Sequence, residues 1–329
     1  MRRRAWRNGT VSAVGFGAMS FGGFYGPTDE AQSMQALARA LELGVDFWDT
    51  ANVYGEGLCE QVIGRFLGED KSRRSRVTLA TKFAIRRRED GTRFFDNSAA
   101  HIREALDGSR KRLGVDHIDL YYVHRVDKSI PIEDTVGELA RLVKAGAIGA
   151  IGLSEVAPDT LRRAHAVHPI AAVQSEYSLW TRGPELGLIQ ACAELGALLV
   201  AFSPLARGYL SGLLQSVETF ADKDFRHVNP RFQGLNWRRN RDRLVPFLGL
   251  AKSWGLKPAT LAIAWALAKA QHIVPIPGTR GAEHLEECAA AGEIDLTEAQ
   301  LAEIERVLPL GFAAGERYSD AQWVGIQKY

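Results

Sequence analysis

Four side chains able to move or orient a proton stand at or just after the ends of short apolar runs. Asp49 closes Val45–Asp49, and Tyr54 follows it in the loop D-T-A-N-V-Y-G. Lys82 closes Val77–Lys82, and His124 closes Ile118–His124. Each alone is ordinary: a loop Asp caps a helix, a Lys after a strand faces water, and a lone His is a satisfied structural residue. Lys82 and His124 follow their apolar runs directly, which points to burial, and a buried ammonium needs a counter-charge. Asp49 is the nearest candidate. A free phenol has a pKa of about 10, too high for an efficient acid at neutral pH. A neighbouring ammonium favours the phenolate and lowers that value. With Asp49 holding Lys82, and His124 directing a substrate oxygen or relaying the proton, the set suits protonation of a carbonyl oxygen as negative charge builds there. None of the four supplies a hydride, so the chemistry requires a bound nicotinamide cofactor.

Groups from three strands meet only if the elements between them bring the strand ends together. Val11–Met19 reads as a first buried strand. Asp29 opens a helix with Met34, Leu37 and Leu41 on one face, and Gly44 ends it. The alternation continues through strands at Val45–Asp49, Val77–Lys82, Ile118–His124, Ala147–Leu153, Ile170–Gln174, Ala197–Phe202 and Ile273–Ile276. Helical patterns lie between them, among them Cys59–Leu67, Asp159–Ala166, Glu185–Leu195, Leu244–Trp254 and Pro258–Ala270. Eight apolar strands alternating with helices predict an α/β fold of the closed (β/α)8 TIM-barrel type rather than two doubly wound domains. The chain then forms a single domain over residues 1–329, with an N-terminal strand or hairpin, a long loop from Ser203 to about Arg241 after strand seven, and an extra C-terminal helix near Glu298–Leu308. Chemistry in such a barrel gathers at the C-terminal strand ends, where the four residues stand. Gly15-Phe16-Gly17 invites a dinucleotide-fold reading, but Ser20 occupies the third glycine position, so these glycines are assigned to packing at the barrel floor.

Composition narrows the classes. The net charge of +2 argues against a dedicated nucleic-acid binder, and the basic clusters Arg86–Arg88 and Arg238–Arg243 read as solvated faces. Cys59, Cys192 and Cys288 are scattered and show no metal spacing, which fits a reducing cytoplasm and no metal site. The apolar stretch Val11–Phe24 is Gly-rich and is preceded by the polar turn Trp6–Gly9, so it is not read as a signal. No apolar run reaches the roughly 18 residues of a membrane span.

Eight stretches in order, F-Y-G-P-T-D-E (Phe24–Glu30), D-T-A-N-V-Y-G (Asp49–Gly55), T-K-F (Thr81–Phe83), L-Y-Y-V-H (Leu120–His124), G-L-S-E (Gly152–Glu155), V-Q-S-E-Y-S-L (Val173–Leu179), F-S-P-L-A-R-G (Phe202–Gly208) and I-P-G-T-R (Ile276–Arg280), resemble the aldo-keto reductase family nearly end to end. The resemblance implies a catalytic tetrad of Asp49, Tyr54, Lys82 and His124 with Tyr54 as general acid, and NADPH across the barrel mouth, NADH being the alternative. It implies that Ser154 and Gln174 hold the carboxamide and that Tyr177 stacks on the nicotinamide. Ser203, Leu205 and Gly208 would hold the pyrophosphate, and Gly278, Thr279, Arg280, His284 and Glu287 would surround the adenosine end. From the residues themselves, the Gly-containing turns Ser203–Gly208 and Gly278–Gly281 suit phosphate oxygens, and Arg280 suits a 2′-phosphate.

The sequence departs from the family pattern at Glu155, where Asn is common, at Cys288, where Asn is usual, and at Gly281, often basic. A carboxylate at Glu155 can accept from a carboxamide but cannot donate to it. For the substrate, Tyr25, Trp48, Phe83, Trp180 and Trp237 are candidate pocket walls, and each serves equally well as core or loop packing. An aromatic mouth suggests a hydrophobic aldehyde or ketone as the small-molecule partner. Three functions stay open: a carbonyl reductase, a dehydrogenase on a pyridoxine-like or sugar alcohol, and a cofactor-sensing subunit resembling the β subunits of potassium channels. No feature sets an oligomeric state.

Overall fold

The computed structural model describes residues 1–214 and 216–327. Arg3–Trp6 (β1) and Gly9–Ser12 (β2) pair as an antiparallel hairpin. Barrel strands follow at Phe16–Gly17 (β3), Phe47–Asp49 (β4) and Thr78–Phe83 (β5). A second hairpin, Ile85–Arg87 (β6) with Arg93–Phe95 (β7), rises from the end of β5. The barrel resumes with Leu120–Val123 (β8), Ile151–Ser154 (β9), Ile170–Glu176 (β10), Leu198–Phe202 (β11) and Ile273–Ile276 (β12). Each barrel strand pairs in parallel with its neighbours in the order β3-β4-β5-β8-β9-β10-β11-β12. The ring closes where the Gly15 N–H donates to Pro275 at 2.8 Å and the Gly17 N–H to Pro277 at 3.0 Å.

Alternation along each strand sorts the side chains. Phe47, Ala80, Leu120, Tyr122, Ala172, Val200 and Val274 share one cluster and fill the barrel. Trp6 and Val11 of the first hairpin join this cluster, with Trp6 edge-on to Phe47 at 6.4 Å, so the hairpin closes the N-terminal end. The alternate positions Trp48, Leu79, Tyr121, Leu153 and Val173 belong to a second cluster under the surrounding helices. Those helices begin and end where the sequence provides caps: Asp29 accepts from the Ala31 N–H at the start of Glu30–Glu42 (α1), and Ser98 accepts from the His101 N–H at the start of Ala99–Leu113.

Two expectations need correction. The apolar stretch Val11–Met19 is divided: Gly9–Ser12 joins the hairpin, only Phe16–Gly17 enters the barrel, and Ala18–Gly22 coils into a 3-10 helix. Hydrophobicity there reports burial rather than extended backbone. The helix placed at Leu244–Trp254 spans Gly234–Ser253, because its first half is polar and carries no apolar stripe to read. The loop after β11 is organised by 3-10 turns, including Ala206–Ser211 and Phe225–Val228. Beyond the helix Glu298–Val307 the chain returns to the barrel mouth, where Tyr318 and Gln322 face the cavity. Among the described residues no helix is long and apolar enough to cross a membrane.

Candidate active site

Phe47 and Ala80 point into the barrel, so Asp49 and Lys82, two residues on, point the same way at the mouth. The Lys82 ammonium is fully buried and contacts an Asp49 carboxylate oxygen. It also donates to the Thr50 carbonyl at 2.8 Å and lies 3.4 Å from the Tyr54 hydroxyl. The other Asp49 oxygen accepts from the Gln174 amide at 2.8 Å. Tyr54 begins a tight turn in which Gly55 and Glu56 have φ of 57° and 55°. That turn lies hard against the segment before α1: a Cβ on Gly22 would sit 2.7 Å from the Gly55 nitrogen, so only glycine permits the approach. The phenol ring is then held edge-on between Phe24 and His124, at 5.9 and 5.7 Å.

Burial governs the charges here. It pushes Lys82 below and Asp49 above their ordinary values, each opposed by the other. His124 is held well below 6.5 by burial and by Arg125, Lys82 and Arg93, so its imidazole is neutral at pH 7. Tyr54 is not lowered as the sequence suggested. Burial first, and then the Asp49 carboxylate, push it well above 10, and Arg125 opposes them only in part. The phenol therefore keeps its proton until a strong base meets it.

Asp49, Tyr54 and His124 open on a cavity of about 890 Å³. Ser154, Gln174, Ser203, Leu205 and Gly208 line it, as do Gly278, Thr279, Arg280 and His284. In the turn after β11, Ser203, Ala206 and Arg207 have φ of 50°, 51° and 58°, left-handed backbone that non-glycine residues adopt at a cost. Such turns aim successive N–H groups at one point and suit a phosphate. Opposite in sequence, Ser20 donates to the Thr279 carbonyl at 3.0 Å and fixes the turn after β12. Arg280 reaches the Pro27 carbonyl.

The aldo/keto reductase family profile matches residues 13–309. This chain belongs to the aldo/keto reductase family. It is 42% identical over 309 residues to probable aldo-keto reductase 1 of Glycine max, covering 94% of this chain and 88% of that one. It is 41% identical over 315 residues to the NADP(+)-labelled aldo-keto reductase yakc of Schizosaccharomyces pombe, covering 94% and 92%. Among solved structures, a glycerol dehydrogenase from Gluconobacter oxydans superposes with a TM-score of 0.84 at 26% identity, over 93% of this chain and 94% of that one.

Several of the expected wall and cofactor residues stand elsewhere. Trp48 and Phe83 are one position out of phase with Asp49 and Lys82, so they face the helices: Trp48 packs on Phe66, and Phe83 stacks on Tyr121. Trp180 stacks on Tyr209 at 4.0 Å, and Trp237 packs with Phe232, in a cluster that holds the loop after β11. Tyr25 does line the cavity. Tyr177 is buried, donates to Glu185 at 2.8 Å and packs on Trp265. Of Tyr177 and Phe202, the ring that reaches the cavity is that of Phe202, in phase with the inward Leu198 and Val200, and strand alternation alone would have found it. Glu287 pairs with His284 and Lys257 and does not line the cavity, and Cys288 is packed against Ala13 and Val14. Gly17 pairs with Asp49 at the mouth, not at the floor.

Glu155, the departure at strand five of this aldo/keto reductase, faces away from the cavity into a buried ionic cluster. It accepts from the Ser175 hydroxyl at 3.0 Å and the Glu176 N–H at 2.8 Å, and it pairs with Arg317. Arg317 also reaches Glu176 at 3.3 Å, and Arg207 pairs with Glu176 at 2.8 Å. The cluster ties the C-terminal segment down and sets Tyr318 over Arg207, 4.8 Å from its guanidinium.

Proposed function

We propose that this chain reduces aldehydes or ketones to alcohols with NADPH, on one barrel unit, with Tyr54 as general acid. The observation that carries this is the Tyr54 hydroxyl at 3.4 Å from the buried Lys82 ammonium, on a cavity shared with a neutral imidazole. When bound, the nicotinamide supplies the hydride. His124 directs the substrate carbonyl oxygen. As that oxygen becomes an alkoxide, far more basic than a phenolate, Tyr54 gives up its proton even from its raised value. Lys82 faces the phenolate so formed, and Asp49 keeps the ammonium in place.

The donor set fits a dinucleotide. Ser154 and Gln174 would hold the carboxamide beside the Phe202 ring. The Ser203–Gly208 turn would take the pyrophosphate. Gly278, Thr279, Arg280 and His284 would take the adenosine end, and Arg280 favours a 2′-phosphate. The NADP(+) in the name of the Schizosaccharomyces pombe relative supports the same choice. Tyr54→Phe, assayed with nitrobenzaldehyde and NADPH, should lose about 10²–10⁴-fold in kcat/KM. An unchanged rate rejects the acid role. A second reading, alcohol oxidation by the same groups in reverse, draws on the glycerol dehydrogenase neighbour. Initial rates in both directions with NADP and NAD separate the two.

A further inference from the structure

Beyond His124 the cavity runs into cations that the proposed mechanism does not use. Strands β5 and β8 lie four places around the ring from β11 and β12, so this rim is opposite the two phosphate-type turns. The β6–β7 hairpin overhangs it. Arg87 and Arg93 face each other across that hairpin, and both line the cavity with Arg86 and Arg125.

Their partners separate them. Arg86 is held by Asp96 at 2.8 Å. Arg125 donates to the His124 carbonyl at 2.6 Å and to the Ser154 hydroxyl at 3.2 Å. Among the described residues, the Arg87 side chain donates only to the Gly91 carbonyl, at 3.2 Å. Among the described residues, the Arg93 side chain has no hydrogen-bond or ion-pair partner, and none of Arg87, Arg93 and Arg125 has a carboxylate within 4.0 Å. Among the described residues, two acids line the cavity: Asp49, taken by Lys82 and Gln174, and Glu56, exposed on the turn after β4. The crowding is felt in the site. Enclosure by the cavity wall, which still leaves its side chain open to solvent, and then Arg87 and Arg125 push Arg93 down, and Arg125 and Arg93 both act on His124. Like charges gathered around a concave surface raise its potential and draw in an anion. Guanidinium forks match a carboxylate or phosphate in two parallel hydrogen bonds.

We propose that the substrate carries an oxyanion, carboxylate or phosphate, remote from its carbonyl carbon, and that Arg93, with Arg87 and Arg125, receives it. That the bound anion is a substrate rests on the carbonyl-reduction reading; that this rim binds an anion does not.

The test separates the two. Full-length protein saturated with NADP+ is titrated calorimetrically with 4-carboxybenzaldehyde and with its neutral methyl ester, methyl 4-formylbenzoate. The acid should bind about tenfold more tightly, and the preference should fade toward 1 M salt. In the double variant Arg87→Gln, Arg93→Gln the ratio of the two affinities should fall toward one. Both side chains are exposed on a hairpin tip, and Arg93→Gln alone with the salt series decides the matter should the double variant fold poorly. Equal affinities in the parent, or a preference that survives the variant, overturn the anion site. 4-Formylphenyl phosphate in the same titration tells phosphate from carboxylate. Turnover of both aldehydes with NADPH is then measured separately. Preferential binding with no reduction of either keeps the anion site and rejects carbonyl reduction, whereas equal binding with equal kcat/KM does the reverse.

Discussion

Two sets of buried charges stand at the same barrel mouth; burial acts on both in the same sense, and it prevails in one and is overcome in the other. At the tetrad, one carboxylate faces one ammonium, with Lys82 wholly buried. There burial prevails: Lys82 is pushed down, Asp49 and Tyr54 up, and His124 down. At the C-terminal clasp, Glu155 and Glu176 face Arg207 and Arg317, with backbone and hydroxyl donors filling the remaining sites. There the partners prevail. Burial would raise Glu155, yet Arg317 holds it below its ordinary value, and burial would lower Arg317 and Arg207, yet Glu155 and Glu176 hold them above theirs. Side chains of Arg207 and Lys82 are almost equally hidden, at 3% and 0% exposure, so depth alone does not set the outcome. The difference lies in how the charges are linked: Glu176 meets both Arg207 and Arg317, and Arg317 also meets Glu155, whereas Asp49 faces Lys82 alone. A group with too few charged partners for its burial is pushed toward its neutral form, as Lys82 and Asp49 are, while Tyr54 and His124 are kept in theirs. A fully partnered cluster keeps its charges fixed and serves as a fastening.

Removing one cation from each set should break the comparison in different places. Lys82→Met should cut kcat/KM for an aldehyde by about 10²–10⁴-fold, because the phenolate formed at Tyr54 loses its nearby charge. Its effect on stability should be smaller than that of the clasp variant, since Asp49, already pushed up, can take a proton. Arg317→Met leaves Glu155 and Glu176 short of a partner in a buried site and should cost about 3–5 kcal/mol in urea unfolding. Its rate with a small aldehyde should fall far less than that of Lys82→Met, with the loss concentrated in KM, since Tyr318 stands over the cavity while Arg317 holds it. If Arg317→Met instead abolished kcat with stability unchanged, the clasp would be part of the chemistry.

The tetrad was legible because each member follows an apolar run closely, and the barrel because eight such runs alternate with helices. The walls were less legible for a related reason. Trp48 and Phe83 are the right residue type in the wrong phase, and only the inward direction of Phe47 and Ala80 decides it. The resemblance points to Tyr177, and only strand alternation shows that Phe202 instead of Tyr177 meets the cavity. The β6–β7 hairpin is not legible, because its two three-residue strands, Ile85–Arg87 and Arg93–Phe95, mix arginines with Ile85, Phe94 and Phe95 over too short a run to show alternation. The clasp joins Arg317 to Glu155 across 162 positions, a separation that no local pattern encodes. Glu155 was noticed only as a departure from the family, and what it fastens lies outside any motif.

The smallest effect, and the one that best sharpens the contrast, is in the acid response of the two sets. His124 is neutral in the fold with its value depressed below 6.5, so as pH falls below 6.5 the unfolded chain takes up a proton that the folded chain refuses. Stability should therefore decline from about pH 6.5 downward, by at most about 1.4 kcal/mol per pH unit from this residue. His124→Asn should remove that part of the slope between pH 6.5 and 5. Glu155 behaves otherwise. Its folded value is depressed below 4.5, so its contribution is complete above 4.5 and is lost only as pH falls further, through the folded value. The clasp should then hold through the range in which the tetrad is already losing stability. Trp323 reports on it directly, since its ring lies 5.0 Å from the Arg317 guanidinium. Its fluorescence should stay constant from pH 6.5 to 5 in both the parent and His124→Asn, and change only in stronger acid. A change in that signal between pH 6.5 and 5 would mean that the clasp titrates with the tetrad, and that the two sets of charges are one.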